Sequence, residues 1–198
     1  MEADWSVEIG PGLPCVDASW EGFVDLRTST CVIETVEEAR HPALRKALLT
    51  LNAKKSRVFT SKCDTWTLSA EEIDPDEFGA SIGNARVGFA SYIDILQRDA
   101  TQFSSYEFHE RRTRELASHL RLLAVQNGRV DLVLRAAVMN EASGYGVTLY
   151  AAGCGPDEAS AYTAWQTVLA AAVAATIAAA AHPSTRGRVA QSDRAPAF

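Results

Sequence analysis

The motifs of metal binding and nucleophilic catalysis are missing from this chain. Cys15, Cys31, Cys63 and Cys154 stand far apart, with no C-x-x-C pair and no histidine at finger spacing, so neither a zinc site nor a disulfide framework is indicated. No G-x-S-x-G or H-E-x-x-H occurs, and no cysteine has an evident histidine partner, which leaves nucleophilic and zinc hydrolysis without local support. The stretch "YAAGCGPDE" lacks a third glycine and a Lys-Ser/Thr pair. Its Asp157 and Glu158 occupy the helix start where a phosphate's charge would sit, so it reads as a strand-to-helix turn.

Long apolar runs and basic clusters are also scarce. The run from Val168 to Ala181 is mostly alanine and falls short of the roughly 18 to 20 residues of a membrane span, so no membrane partner is expected. Met1-Glu2-Ala3-Asp4 is acidic and lacks the order of a secretory signal, which predicts a cytoplasmic location. The net charge is -6, and the C-terminal Arg186, Arg188, Arg194 and Asp193 carry +2 of it, leaving -8 for the rest. A body this acidic is a poor match for phosphate, and no nucleic-acid partner is expected. Around "HERRTRE" (109–115), Glu107 pairs with Arg111 and Glu110 with Arg114 at i, i+4, which is a solvated face.

What is present suits one globular domain: 198 residues, 47% hydrophobic and 22% charged. That domain is expected over 1–183. Trp5, Val7 and Ile9 alternate with polar residues before Gly10-Pro11-Gly12, which predicts an N-terminal strand, and "GFVDLR" (22–27) predicts a second. A helix follows over 36–51 with Pro42 kinking it or marking its first turn, then strands over 56–69 and 85–97. Ser104 and Glu107 resemble a capping box, stapled by Phe103 and Phe108, for a helix through Leu116, Leu120 and Leu123 that ends at Asn127-Gly128. Strands over 129–138 and 146–153, separated by a turn at Gly144-Tyr145-Gly146, precede an alanine-rich helix opening at Pro156. The fold class expected is α+β: a ferredoxin-like β-α-β-β-α-β order with an extra N-terminal strand and a C-terminal β-α unit. The sheet would be mainly antiparallel, with helices on one face.

One recurrence spans several elements: an aspartate in the middle of four predicted strands, Asp25, Asp64, Asp94 and Asp131. Strand alternation puts them on the face away from the helices, with Arg27, Lys62, Trp66, Tyr92 and Arg135 on the same side. Such a face is either a set of cross-strand ion pairs or a carboxylate site able to take a divalent cation. Asp25, Asp64, Asp94, Asp131, Lys62 and His109 are the candidate catalytic residues; Trp66, Tyr92 and Arg135 are the candidate ligand-binding ones. His109 lies on the apolar line of its helix, where a proton carrier or a satisfied, half-buried histidine would sit.

The C-terminal "STRGRVAQSDRAPAF" (184–198) lacks apolar rhythm. Gly187 to Phe198 reverse-translates into a self-complementary arm resembling that of a tRNA gene. The expectation is a disordered, deletable tail translated from an adjacent tRNA gene. Codons at the gene's 3′ end that cannot form the arm would refute it. The function expected overall is a non-catalytic ligand-binding or assembly module. Self-association would run through the alanine-rich last helix or the open sheet face, with no cofactor evident. The alternative is a metal-dependent or acid/base enzyme acting on a small polar substrate at the aspartate face.

Overall fold

A computed structural model describes residues 1–181. Its strands are β1 (Glu2–Glu8), β2 (Val16–Asp17), β3 (Val58–Ser69), β4 (Val87–Gln97), β5 (Gly128–Met139) and β6 (Ala142–Gly155). They form one open, mixed and mostly antiparallel sheet in the order β1-β5-β6-β4-β3. β1 and β2 both run parallel to β5, one after the other along the edge that β6 leaves free. The helices are α1 (Pro42–Leu51), α2 (Ala100–Ser104), α3 (Tyr106–Arg121) and α4 (Glu158–Ala181). The class is therefore α+β.

Alternation along the strands divides the sheet into two faces. On one, Val130 and Leu132 of β5, Leu149 and Ala151 of β6, and Ile93 and Ile95 of β4 meet Leu44, Leu48 and Leu51 of α1, Leu116 and Leu120 of α3, and Trp165, Leu169 and Val173 of α4. Burying one of these large side chains stabilises the fold by about 1.5 to 3 kcal/mol. Gly153 lets α4 lie close: a Cβ there would stand 2.1 Å from the Trp165 backbone nitrogen. α4 is longer than the run of apolar residues suggested. By length and composition Glu158–Ala180 is able to cross a membrane, yet in this fold Trp165, Val168, Leu169 and Ala172 are buried.

The second face is open in its middle and covered at its ends. At one end Val16 and Ala18 pack with Phe59, Leu96 and Ala137. At the other, Ile73, Phe78 and Ala85 of the β3–β4 connection pack with Leu68, Ala152 and Cys154.

Several local expectations shift. Residues 22–27 form coil and turns in place of the expected strand. The Asp25 carboxylate accepts from the Arg27 backbone nitrogen at 2.9 Å and its Nε at 2.8 Å, which folds the chain back locally. Pro42 marks the first turn of α1, and two short 3₁₀ turns occupy 30–40. α3 is capped by Ser105, one residue later than expected, and α2 with its own Asp99 cap precedes it. Asn127, with φ 54°, opens β5 instead of closing α3. The β5–β6 hairpin turns at Asn140 and Glu141, both left-handed. Gly144 lies inside β6, where a Cβ would meet the Phe103 ring at 2.5 Å. The expected tail over 184–198 lies outside the described residues.

Candidate functional site

Strand register lays a row of side chains across the open face. Asp4 stands opposite Asp131, Asp131 opposite Tyr150, Tyr150 opposite Tyr92, and Tyr92 opposite Asp64. The next row holds Val133, Thr148 and Asp94. A register shift between Thr60 and Cys63 lets both Phe59 and Asp64, of opposite parity in sequence, reach this face. Asp64, Asp94 and Asp131 thus share a face with Lys62, Trp66, Tyr92 and Arg135. Asp25 is off the sheet, in the turn it makes with Arg27. His109 is on α3, against the opposite face.

Sharing a face does not bring the carboxylates together. Asp64 and Asp131 are three strands apart, roughly 14 Å at the usual interstrand spacing, which is beyond the reach of one cation. Among the described residues no group of three or more His, Cys, Asp or Glu side chains could hold a metal ion.

Each acid instead has its own surroundings. Asp131 receives a two-pronged contact from Arg129 at 2.6 and 2.9 Å, and Arg129 also bonds Glu77. Asp94 is only 6% exposed. Burial holds its carboxyl above the usual range, opposed by the Thr148 hydrogen bond and the charges of Arg135 and Lys62. Arg135 donates to Glu8 at 2.8 and 3.2 Å and to Thr148 at 3.3 Å, and its guanidinium lies 5.8 Å from the Tyr150 ring centre. The Lys62 ammonium lies 5.0 Å from the Trp20 ring. Asp64 differs: it is exposed, accepts only from the Thr65 backbone nitrogen at 2.7 Å, and has no ion pair among the described residues.

Beside Asp64 lies an aromatic cluster. Trp66 is 6.4 Å from both Tyr92 and Tyr150, the two tyrosines are 5.9 Å apart, and Trp66 is 37% exposed. Burial, then the charges of Asp94 and Asp64, push the Tyr92 hydroxyl up to about 12, so it stays a neutral donor.

His109 belongs to a separate place. It is 2% exposed, one buried ring among Phe108 and Tyr145. Desolvation lowers its pKa to about 4. Tyr150, Thr148 and Glu8 escaped the sequence reading. Tyr150 and Thr148 were discoverable from alternation in "GVTLYAAG", whereas Glu8 required knowing that β1 pairs with β5.

Set beside known proteins, the chain matches no family model, no curated protein and no solved structure.

Proposed function

We propose that the protein is a cytoplasmic, non-catalytic binding module whose open sheet face receives a cationic group, an arginine or lysine side chain of a partner protein. The observation that carries this is Asp64, a carboxylate without an ion pair among the described residues, set beside the exposed Trp66 and its Tyr92 and Tyr150 neighbours. A cation over an aromatic ring gains about 0.5 to 1 kcal/mol at an exposed site, and the carboxylate adds charge complementarity. Arg135 and Lys62 are engaged with Glu8, Thr148 and Trp20, so they shape the face and do not compete for the guest. Docking of this face on its twin would bring two Asp64 carboxylates, each unpaired among the described residues, into one interface, which disfavours a symmetric dimer there. Self-association through α4 would be left with its outward stripe of Thr163, Thr167, Ala170, Ala174 and Ala178.

The ferredoxin-like order is kept in this reading only as the order of elements along the chain, with β1 as its first strand. The acid/base alternative has Asp94 as its support, a buried carboxyl held above its ordinary value.

The test is a titration with tri-arginine, following amide and indole resonances. Shifts are expected at Asp64, Trp66, Tyr92 and Tyr150, with affinity about tenfold weaker in Trp66→Ala. Shifts scattered over the acidic surface and indifferent to Trp66→Ala would reject the reading.

A further inference from the structure

We propose that the space between α3, the C-terminal half of α4 and the helix-covered sheet face binds a small neutral molecule made of a short alkyl body and one hydroxyl. A cavity of about 70 Å³ lies there. Ile95, Leu132 and Leu149 form its sheet side and Phe108 and Leu116 its helix side. Into this apolar space the α3 helix brings two polar groups one turn apart, His109 and Thr113.

Both residues are 2% exposed, and His109 Nε2 and Thr113 Oγ1 have no hydrogen-bond partner. Buried polar atoms are otherwise well satisfied along this core: Asn52 bonds Leu48 and Thr60, Trp165 bonds Ser91, and Thr176, also lining the cavity, bonds Ala172. Two orphaned groups side by side in one cavity carry a desolvation cost that a hydrogen-bonding guest removes.

The chemistry of the guest follows from the two groups. The backbone carbonyls of Phe103 and Gln102 face the His109 ring. With Nε2 unpartnered, they favour the proton on Nδ1 and leave Nε2 as an acceptor. Burial keeps the ring neutral, its pKa down to about 4. The cavity therefore offers an acceptor at Nε2 and a rotatable hydroxyl at Thr113, which together suit an alcohol: its O–H donates to the imidazole and its oxygen accepts from the threonine. Between His109 and Thr113 a charged head would be desolvated without a counter-ion, because, of the two arginines that line the cavity, Arg57 is exposed and Arg112 already bonds Glu115 and the Ala179 carbonyl. The exposed Arg57 and the half-buried Gln97 also line the cavity, and an alkyl body longer than the enclosed space would extend toward them.

The test compares 1-butanol with diethyl ether, isomers of which only the first has a donor, by ligand-observed NMR and by the His109 side-chain resonances. The expected result is saturable binding of 1-butanol that shifts His109, with diethyl ether about tenfold weaker. Thr113→Val keeps the shape of the side chain and should fold; in it the preference for the alcohol should shrink. Equal binding of the two isomers would show an apolar void without polar recognition and overturn the proposal. So would failure of either to move His109 while a long-lived internal water shows contacts to its ring, because the water would then be the partner of both groups.

Discussion

Asp94 and Thr148 face each other across β4 and β6, and the threonine hydroxyl donates to the buried carboxylate at 2.6 Å. The same hydroxyl accepts from Arg135 at 3.3 Å, so the charge of the arginine reaches the acid through a neutral relay. Direct compensation is thus incomplete, and burial dominates the acid's titration.

The stability of the protein should reflect this. Asp94 has a folded-state pKa raised above its ordinary 3.8. The folded state then holds this proton more tightly than the unfolded chain, and the site's contribution to stability falls as pH rises from 3.8 to the raised value. Asp94→Asn retains an acceptor for Thr148 and has no such penalty. Its melting temperature at pH 7 should equal or exceed that of the parent, with a flatter pH profile in that window. A large loss of stability at pH 7 would mean that the charge itself is needed.

His109 should act with the opposite slope. Its pKa falls from 6.5 to about 4, so between those values the unfolded chain binds a proton that the folded one refuses. Stability contributed by the neutral ring is complete above 6.5 and is lost as pH falls through the window, by about 3 kcal/mol in all. Urea denaturation at pH 7 and pH 4 should show this loss in the parent and a smaller one in His109→Gln. The Asp94→Asn variant serves as background for separating the two sites.

Divalent cations should leave the melting temperature unchanged. A cation that bound only the folded state would raise it, but Asp131 is held by Arg129, Asp94 is buried under Thr148, and Asp64 stands roughly 14 Å from Asp131. Melts with excess Mg²⁺, Mn²⁺ or Ca²⁺, repeated on Asp64→Asn, check it. A rise that Asp64→Asn abolishes would restore the carboxylate site.

Gly153→Ala should be among the most damaging single changes. The added methyl would meet the Trp165 backbone nitrogen at 2.1 Å and the Ala164 carbonyl carbon at 2.6 Å, where no rotamer gives relief. Separating α4 from β6 costs about 3 kcal/mol or more. The urea midpoint should fall accordingly, and Gly12→Ala, with open space around a left-handed residue, should cost less.

The sheet was largely readable because β3 to β6 alternate strongly and are bounded by turn residues. That alternation also placed Asp64, Asp94 and Asp131 on one face. At 22–27 the same signal misled. Leu26 is buried and Phe23 half-buried, but in two different clusters, and Asp25 turns the chain between them. Two apolar anchors three residues apart, without a ladder partner, make a turn here, and nothing local distinguishes the stretch from a strand. The spacing between the aspartates was equally invisible, because it depends on β6 and β4 lying between β5 and β3. His109 was visible as part of an apolar line, but its missing partner was not: that depends on what α4 and the sheet bring to the cavity.

The parallel pairing of Glu2 with Arg129 joins the beginning of the chain to a point more than halfway along it. During synthesis the first strand emerges with no neighbour and must wait until β5 has left the ribosome. Its loop is long, and the entropy of closing it delays such contacts. The β3–β4 hairpin, whose partners are close in sequence, is available much earlier. The last helix comes later still, and with it Trp165, so the core is sealed only when nearly the whole chain is present. A ribosome-bound fragment ending before β5 should therefore leave its N-terminal strand accessible to protease.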